Sequence, residues 1–312
     1  MAKAGATTTT AAPRSVMVVG GAGFLGSHLV ERLIGDGLRV EVVDDLSTGV
    51  LANLAAARAG APEGALRIDT VDVTIPEFPD LVRRRRPDVM VVTAAFTGER
   101  TDSADAVRSF AVVAAALESC RVAGVSKVVV VVPGAAMYGE VPTRELPVRE
   151  DRDRHPVGVQ GVAVGAALEL VDLYRRDHGL DHTALVLSTI YGPRQNPAGN
   201  LVASLLAARA AGEAPVIHGD GKQTIDLLFV DDAVDAIARS LTKGSGQTLH
   251  VATGTQTSLR ALLQAIGIES VVSEPRRPGA IQRSALSPSR ARLHLGWAPW
   301  TALVDGLATT VA

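Results

Sequence analysis

Residues 19–29 read Val-Gly-Gly-Ala-Gly-Phe-Leu-Gly-Ser-His-Leu, and this stretch sets the architecture of the chain. It follows a short β-branched apolar run, which predicts a buried strand, and it opens a segment with apolar residues at helical spacing. At the junction, Gly20 allows a tight turn, Gly23 lets the backbone approach a diphosphate, and Gly26 lets the helix pack closely on the sheet. The stretch therefore predicts a strand–turn–helix unit whose exposed amides and helix dipole bind a dinucleotide.

The same alternation of strand and helix continues downstream. Short apolar runs predict further strands near residues 39–44, 66–71, 89–93, 127–132 and 182–187. Helical stretches lie between them, and this alternation implies a parallel, doubly wound sheet with right-handed crossovers. We therefore predict an α/β fold with a large dinucleotide-binding domain and a smaller C-terminal α/β substrate lobe.

The predicted domain organisation has three parts. Residues 1–13 lack the apolar core of a signal peptide, and we predict that they form a flexible tail. Residues 14–187 together with about 222–252 are assigned to the dinucleotide-binding domain. Residues from about 188–221, where the regular alternation weakens, are assigned together with 253–312 to the substrate-binding lobe.

Composition and charge limit the classes of partner. The 312 residues are 47% hydrophobic and 21% charged, with a net charge of −2, which gives no basic field for nucleic acid or an anionic membrane. Cys120 is the only cysteine, so an intramolecular disulfide is impossible and a reducing compartment fits. Since the apolar runs are also too short to cross a bilayer, we expect a cytoplasmic protein without a metal site.

Two strand-end carboxylates strengthen the dinucleotide prediction. Asp44 ends the second strand, where it can accept hydrogen bonds from both ribose hydroxyls and repel a 2′-phosphate, so NAD is favoured over NADP. Asp72 and Val73 follow the third strand and are placed to meet the adenine. The alternative is a glycine turn that binds nothing. The predicted cofactor-binding residues are Gly20, Gly23, Phe24, Leu25, Gly26, Asp44, Asp45, Thr48, Gly49, Asp72, Val73, Ala94 and Ala95.

With these residues in view, the chain resembles the extended short-chain dehydrogenases/reductases, in the NAD-dependent epimerase/dehydratase branch that acts on sugar nucleotides. The resemblance runs from about residue 15 to 309 and implies a Rossmann-type domain with a small substrate lobe and an active site between them. Its motifs are GGAGFLGSHL (20–29), DDLSTG (44–49), ALESCRVAGVSKVV (116–129), AAMYGE (135–140), IYGPRQNP (190–197), GDGKQTIDLLFVDDA (219–233), RRPG (276–279) and LGWAP (295–299).

The resemblance also implies ligands and partners. Asn200, Leu201 and Arg277 match substrate-binding positions, so a small-molecule, nucleotide-sugar ligand is expected. Family members often form homodimers through the two helices that match residues 104–123 and 156–177. A homodimer is therefore expected here, and a partner enzyme is a further alternative.

Three catalytic positions depart from the family pattern. The resemblance implies a Ser or Thr hydroxyl together with a Tyr whose pKa is lowered by a Lys, which together move a proton while NAD takes a hydride. Aligning the motifs places Gly134, Gly161 and Gly165 at the Ser, Tyr and Lys positions. No Tyr or Lys occurs anywhere in residues 140–171. Ile225 also stands where the family has an Arg that binds the substrate diphosphate.

These departures lead to a functional hypothesis. Gly158, Gly161 and Gly165 cost the expected helix about 1 kcal/mol each, which predicts a helix that starts late or frays and a wider space beside the nicotinamide. Tyr138 and His155 are weak candidates for a replacement acid or base. We favour an atypical NAD-binding family member, either an enzyme of reassigned chemistry with an enlarged pocket or a non-catalytic partner. The alternatives are a regulatory subunit and, less favoured, a conventional sugar-nucleotide epimerase or dehydratase.

Overall fold

The computed structural model describes residues 13–96, 102–277 and 279–311. The strands are, in chain order, β1 (Ser15–Val19), β2 (Arg39–Asp44), β3 (Leu66–Thr70), β4 (Val89–Val92), β5 (Lys127–Pro133), β6 (Asp181–Leu187), β7 (Thr189–Tyr191), β8 (Val216–His218), β9 (Thr224–Ile225), β10 (Leu227–Phe229), β11 (Gln247–Val251), β12 (Thr257–Ser258) and β13 (Val272–Glu274). The helices are α1 (Phe24–Gly35), α2 (Ala55–Gly60), α3 (Phe78–Arg85), α4 (Ser103–Ala123), α5 (Gly158–His178), α6 (Leu201–Ala211), α7 (Val230–Ser240), α8 (Leu259–Ile266), α9 (Ser289–Leu295) and α10 (Leu303–Val311).

Seven parallel strands form the main sheet in the order β11-β6-β5-β4-β1-β2-β3. Its central strands are unbroken apolar runs because helices cover both faces, and parallel sheets covered in this way lose the alternation of apolar and polar residues. Val16 and Val18 pack into one buried cluster, whereas Met17 and Val19 pack into a second. The prediction of a doubly wound parallel sheet is confirmed.

The strand order creates a crevice in the middle of the sheet. From β1 the chain moves outward through β2 and β3, and it then returns to β4 and moves outward through β5 and β6. Ligands of open α/β sheets bind at the carboxyl ends of the strands where the order reverses. In this chain that point lies between β1 and β4.

The remaining strands form three small pairs outside the main sheet. β7 pairs with β10 and β8 with β13, both in parallel, while β9 and β12 are antiparallel. Between these pairs the chain returns to the main sheet, since β11 pairs with β6 at its edge. This discontinuous path is compatible with the predicted division into two domains. The boundaries of the domains remain a prediction.

Helix α5 differs from the prediction. It runs without a break from Gly158 to His178 and contains both Gly161 and Gly165, so the expected late start is wrong. Val164 and Leu168 are among the buried residues on the face of α5, and the helix packs along α4. Tertiary packing of an apolar face stabilises a helix more than intrinsic propensity does, and it offsets the cost of the glycines.

Within the part of the chain that the structure describes, no helix has the length and apolar character needed to cross a bilayer.

Candidate nucleotide-binding and active site

A cavity of about 510 Å³ lies at the carboxyl edge of the main sheet, at the point where the strand order reverses. Most of the predicted cofactor-binding residues line this cavity, and so do Asn200 and Leu201 from the start of α6. Gly49 does not line it, since it packs behind the carboxylate of Asp44 and against Ala22. Arg277 is exposed and is not part of the wall, so the structure does not place it with the other predicted substrate residues. The predicted residues that do line the cavity are Gly20, Gly23, Phe24, Leu25, Gly26, Asp44, Asp45, Thr48, Asp72, Val73, Ala94, Ala95, Asn200 and Leu201.

The glycine turn has the geometry that a diphosphate needs. Gly20 has a φ of +85°, and its N–H donates to Val43 O at 2.8 Å, which fixes the turn at the end of β1. A Cβ at Gly26 would overlap the carbonyl oxygen of Gly20, so a glycine is required for α1 to approach the turn. Gly23 caps α1 without a side-chain hydrogen bond. The first amides of the helix therefore have no side-chain acceptor and can hold a diphosphate.

Asp44 is held rigidly at the end of β2. Its side chain is 7% exposed; Oδ2 accepts the Ala22 N–H at 2.8 Å, and Oδ1 accepts the Leu46 N–H at 2.8 Å. Burial raises the pKa of this carboxyl, and the two amide hydrogen bonds oppose that rise. Since each carboxylate oxygen retains acceptor capacity, the group fits the two ribose hydroxyls of NAD.

Arg108 is a cavity residue that the sequence did not predict. It projects from α4, and its guanidinium forms ion pairs with Asp45 after β2 and with Asp72 after β3. All three side chains line the cavity. Arg108 lies 63 residues from Asp45 and 36 from Asp72, so no local pattern of the sequence could have indicated this contact.

The three glycines at the expected catalytic positions do not enlarge the cavity. A Cβ on Gly134 would lie 2.6 Å from Leu286 Cδ1 and 2.8 Å from Val186 Cγ1, and a Cβ on Gly161 would overlap Ala136 O. Only Gly165 faces open space. Among the described residues that line the cavity, none is one of these glycines and none belongs to α5. The predicted wider pocket is therefore wrong, because neighbouring atoms fill the space at two of the three positions.

The two weak catalytic candidates lie away from the cavity. Tyr138 is buried, and its hydroxyl donates to His250 Nε2 at 2.7 Å, while His250 Nδ1 donates to Val148 O at 3.2 Å. Burial raises the pKa of Tyr138 to about 12. His155 is exposed, and neither candidate is among the residues of the cavity wall. The geometry gives Tyr138 a structural role, as one member of a buried tyrosine–histidine pair.

This buried pair predicts a pH-dependent stability. Burial lowers the pKa of His250 to about 4 from 6.5, so the folded state binds the proton more weakly than the unfolded state. The free energy of unfolding is therefore highest above the unfolded pKa and falls as the pH decreases. We expect the contribution of His250 to lower the free energy of unfolding by about 2 kcal/mol between about pH 7 and about pH 5.

Urea unfolding at both pH values measures this effect. The carboxylates of the chain also titrate at acidic pH. The control is therefore His250→Gln, which removes the titrating ring. The variant is expected to lose less stability over the same interval. An equal loss in the wild type and the variant contradicts the assignment to His250.

Comparison with known proteins agrees with this geometry. The sequence pattern of the NAD dependent epimerase/dehydratase family matches residues 16–252. A UDP-glucose 4-epimerase from Mycolicibacterium smegmatis is 36% identical over 307 residues, which cover 95% of this chain and 96% of the relative.

Two crystal structures share the fold over nearly their whole length. The UDP-glucose 4-epimerase of Thermotoga maritima, solved with UDP-glucose, superposes with a TM-score of 0.86 at 30% identity, over 95% of this chain and 97% of that one. The UDP-glucose 4-epimerase of Thermus thermophilus, solved in complex with NAD, gives a TM-score of 0.84 at 32% identity, over 95% and 97% of the two chains.

These relatives overturn the functional hypothesis drawn from the sequence. The favoured interpretation, an atypical member that has reassigned or lost its chemistry, is wrong, because the relative and the two structures described above are UDP-glucose 4-epimerases. The less favoured alternative, a conventional sugar-nucleotide epimerase or dehydratase, fits these findings better. The prediction of NAD as cofactor is confirmed. The chain belongs to the NAD dependent epimerase/dehydratase family.

Proposed function

We propose that the protein is an NAD-dependent enzyme that epimerises or dehydrates a nucleoside-diphosphate sugar. The observation that carries this proposal is the continuous cavity, whose wall extends from the glycine turn and Asp44 at one end to Asn200 and Leu201 at the other. The similarity to UDP-glucose 4-epimerases over 95% of the chain supports it.

The residues of the cavity divide between the two ligands. The glycine turn and Asp44 hold the cofactor, which when bound accepts a hydride from the sugar. The N-terminus of α6 faces the other part of the cavity, and its cap residue Asn200 makes no side-chain cap hydrogen bond. The free amides of this helix end provide the donors for the substrate diphosphate. Amide donors to the diphosphate are needed here because the neighbouring wall residue Ile225 carries no charge.

We also propose that Gly134, Gly161 and Gly165 occupy the positions of the family's Ser, Tyr and Lys. These positions offer no phenol or amine for positioned transfer of the substrate proton. Positioned acid–base catalysis contributes about a hundredfold to ten-thousandfold to a rate, so we expect turnover to be slower than in relatives with the full set by a factor in this range.

The test is conversion of UDP-glucose and dTDP-glucose by the NAD-loaded protein. Product analysis by NMR is combined with the absorbance of the reduced nicotinamide. We expect slow formation of an epimer or a dehydrated product, with transient reduced nicotinamide. No conversion of either sugar nucleotide and no reduced nicotinamide, in a sample that binds NAD, contradicts the proposed function.

A paired variant tests the glycine positions separately. We expect Gly161→Tyr with Gly165→Lys to turn over at least tenfold faster than Gly161→Ala with Gly165→Ala, since only the first pair returns a phenol and an amine to the proposed positions. The matched control is Gly161→Ala with Gly165→Ala, which introduces the same Cβ overlap with Ala136 O without acid–base groups. Equal rates for the two double variants contradict the assignment of these positions.

We further propose a homodimer through α4 and α5. The two helices pack side by side, and Val107, Val159 and Val162 are exposed on them. Apolar side chains on two adjacent helices favour helix-to-helix association with a second copy. Sedimentation equilibrium is expected to give twice the chain mass of 32.4 kDa. A mass of one chain at micromolar concentration contradicts the proposal.

A further inference from the structure

Two aspartates at the ends of neighbouring strands are held in the same way. Asp45 Oδ1 accepts the Ser47 N–H at 2.9 Å and the Ser47 hydroxyl at 2.7 Å. Asp72 Oδ1 accepts the Thr74 N–H at 2.9 Å and the Thr74 hydroxyl at 2.8 Å. In each turn the local hydrogen bonds use Oδ1, so Oδ2 remains available to a third group.

Arg108 joins these two oxygens. Its Nη1 lies 3.2 Å from Asp72 Oδ2, and its Nη2 pairs with Asp45 Oδ2. Because both carboxylates are already fixed by their own turns, the guanidinium is held at two rigid points. It therefore ties the loop after β2 to the loop after β3, across the end of the cavity that contains Asp44.

Stability alone does not account for this arrangement. The three side chains are 26–44% exposed, and exposed ion pairs contribute only about 0–1 kcal/mol to folding. The charge of the cavity wall gives a second reason for the arrangement. Asp44, Asp45 and Asp72 line the same end, and Arg108 is the only Lys or Arg among the described wall residues. Without Arg108, these three carboxylates and that of Asp105, which also lines the cavity, would face a cofactor that carries a negative diphosphate.

We propose that Arg108 is a positioning residue for the adenosine half of NAD. It sets the spacing of the two loops that flank the adenosine, and it offsets the negative charge of the carboxylates there. A planar guanidinium suits this role, because its fork bridges two carboxylates and its face can stack on an aromatic base. The proposal requires only that NAD binds, so it stands independently of the sugar-nucleotide substrate.

Arg108→Leu tests the proposal through binding rather than activity. Calorimetry of the full chain is expected to show a Kd for NAD about tenfold higher than in the wild type. The Kd for ADP-ribose, which contains the adenosine half, is expected to rise by the same factor. Nicotinamide mononucleotide, which lacks it, is expected to bind with unchanged affinity. Arg108→Lys retains the charge without the fork and is expected to bind NAD with intermediate affinity.

Arg121→Leu is the matched control. Arg121 lies on the same helix and is also paired with a carboxylate, that of Glu118, but it is outside the cavity wall. We expect its affinity for NAD to equal that of the wild type. The proposal is overturned if Arg108→Leu binds NAD as tightly as Arg121→Leu does. It is also overturned if ADP-ribose and nicotinamide mononucleotide lose affinity equally, since that result indicates general damage to the fold.

Discussion

Replacing Gly26 by alanine is expected to raise the Kd for NAD at least a hundredfold. The added Cβ would overlap the carbonyl oxygen of Gly20 and lie 2.8 Å from the Cα of Gly21. These are backbone atoms, so no side-chain rotation relieves the overlap. Gly20 is itself enclosed, because a Cβ there would lie 2.7 Å from the backbone N of Ala94. Helix α1 must therefore move away from the turn, and the amides that hold the diphosphate move with it.

Calorimetry with NAD measures this loss, and a second glycine of the same helix provides the control. Gly35 ends α1 at the opposite end, and a Cβ there would meet no atom within 4 Å. Gly35→Ala is expected to keep full affinity for NAD and to gain up to about 1 kcal/mol in stability. Affinity of Gly26→Ala within threefold of Gly35→Ala would falsify the close-packing argument.

Asp226→Asn is expected to destabilise the chain by about 3 kcal/mol. The Asp226 side chain is 1% exposed, and its two oxygens accept four hydrogen bonds. Oδ1 accepts from the Thr253 N–H at 3.0 Å and the Thr253 hydroxyl at 2.7 Å. Oδ2 accepts from the Gly254 N–H at 2.9 Å and the Leu286 N–H at 3.2 Å. An asparagine places an NH₂ group against one of these pairs, so at least one backbone N–H of the network loses its acceptor.

The position of Asp226 in the fold explains why the loss should affect the whole chain. The residue lies between β9 and β10, and it fixes the segment after β11 and the segment before α9 at one point. Urea unfolding monitored by circular dichroism measures the effect. The control is Asp220→Asn in the same sequence motif, since the Asp220 carboxylate pairs with Lys222, two residues away, at the surface. Equal unfolding midpoints for the two variants would show that the buried network contributes little.

The errors in predicting the start of α5 and the width of the cavity have one physical origin. The missing Tyr and Lys suggested an empty space and a weakened helix, because both inferences considered a single segment. In the folded chain, Leu286 and Ala136 come from other segments and occupy the space beside Gly134 and Gly161. Packing of α5 against α4 likewise supplies stability that propensity does not. The error about function has a different source, because the relatives that resemble the chain over nearly its whole length are UDP-glucose 4-epimerases.

Local patterns were sufficient for the sheet, the glycine turn and Asp44. Each depends on residues close together in the chain: a strand needs a short apolar run, and the turn and its helix need three glycines within seven positions. The Arg108 bridge and the Asp226 network could not be read in this way. Their partners lie between 27 and 63 residues away, and only the packing of the sheet, α4 and the later segments brings them together. Short-range periodicity carries no information about such contacts.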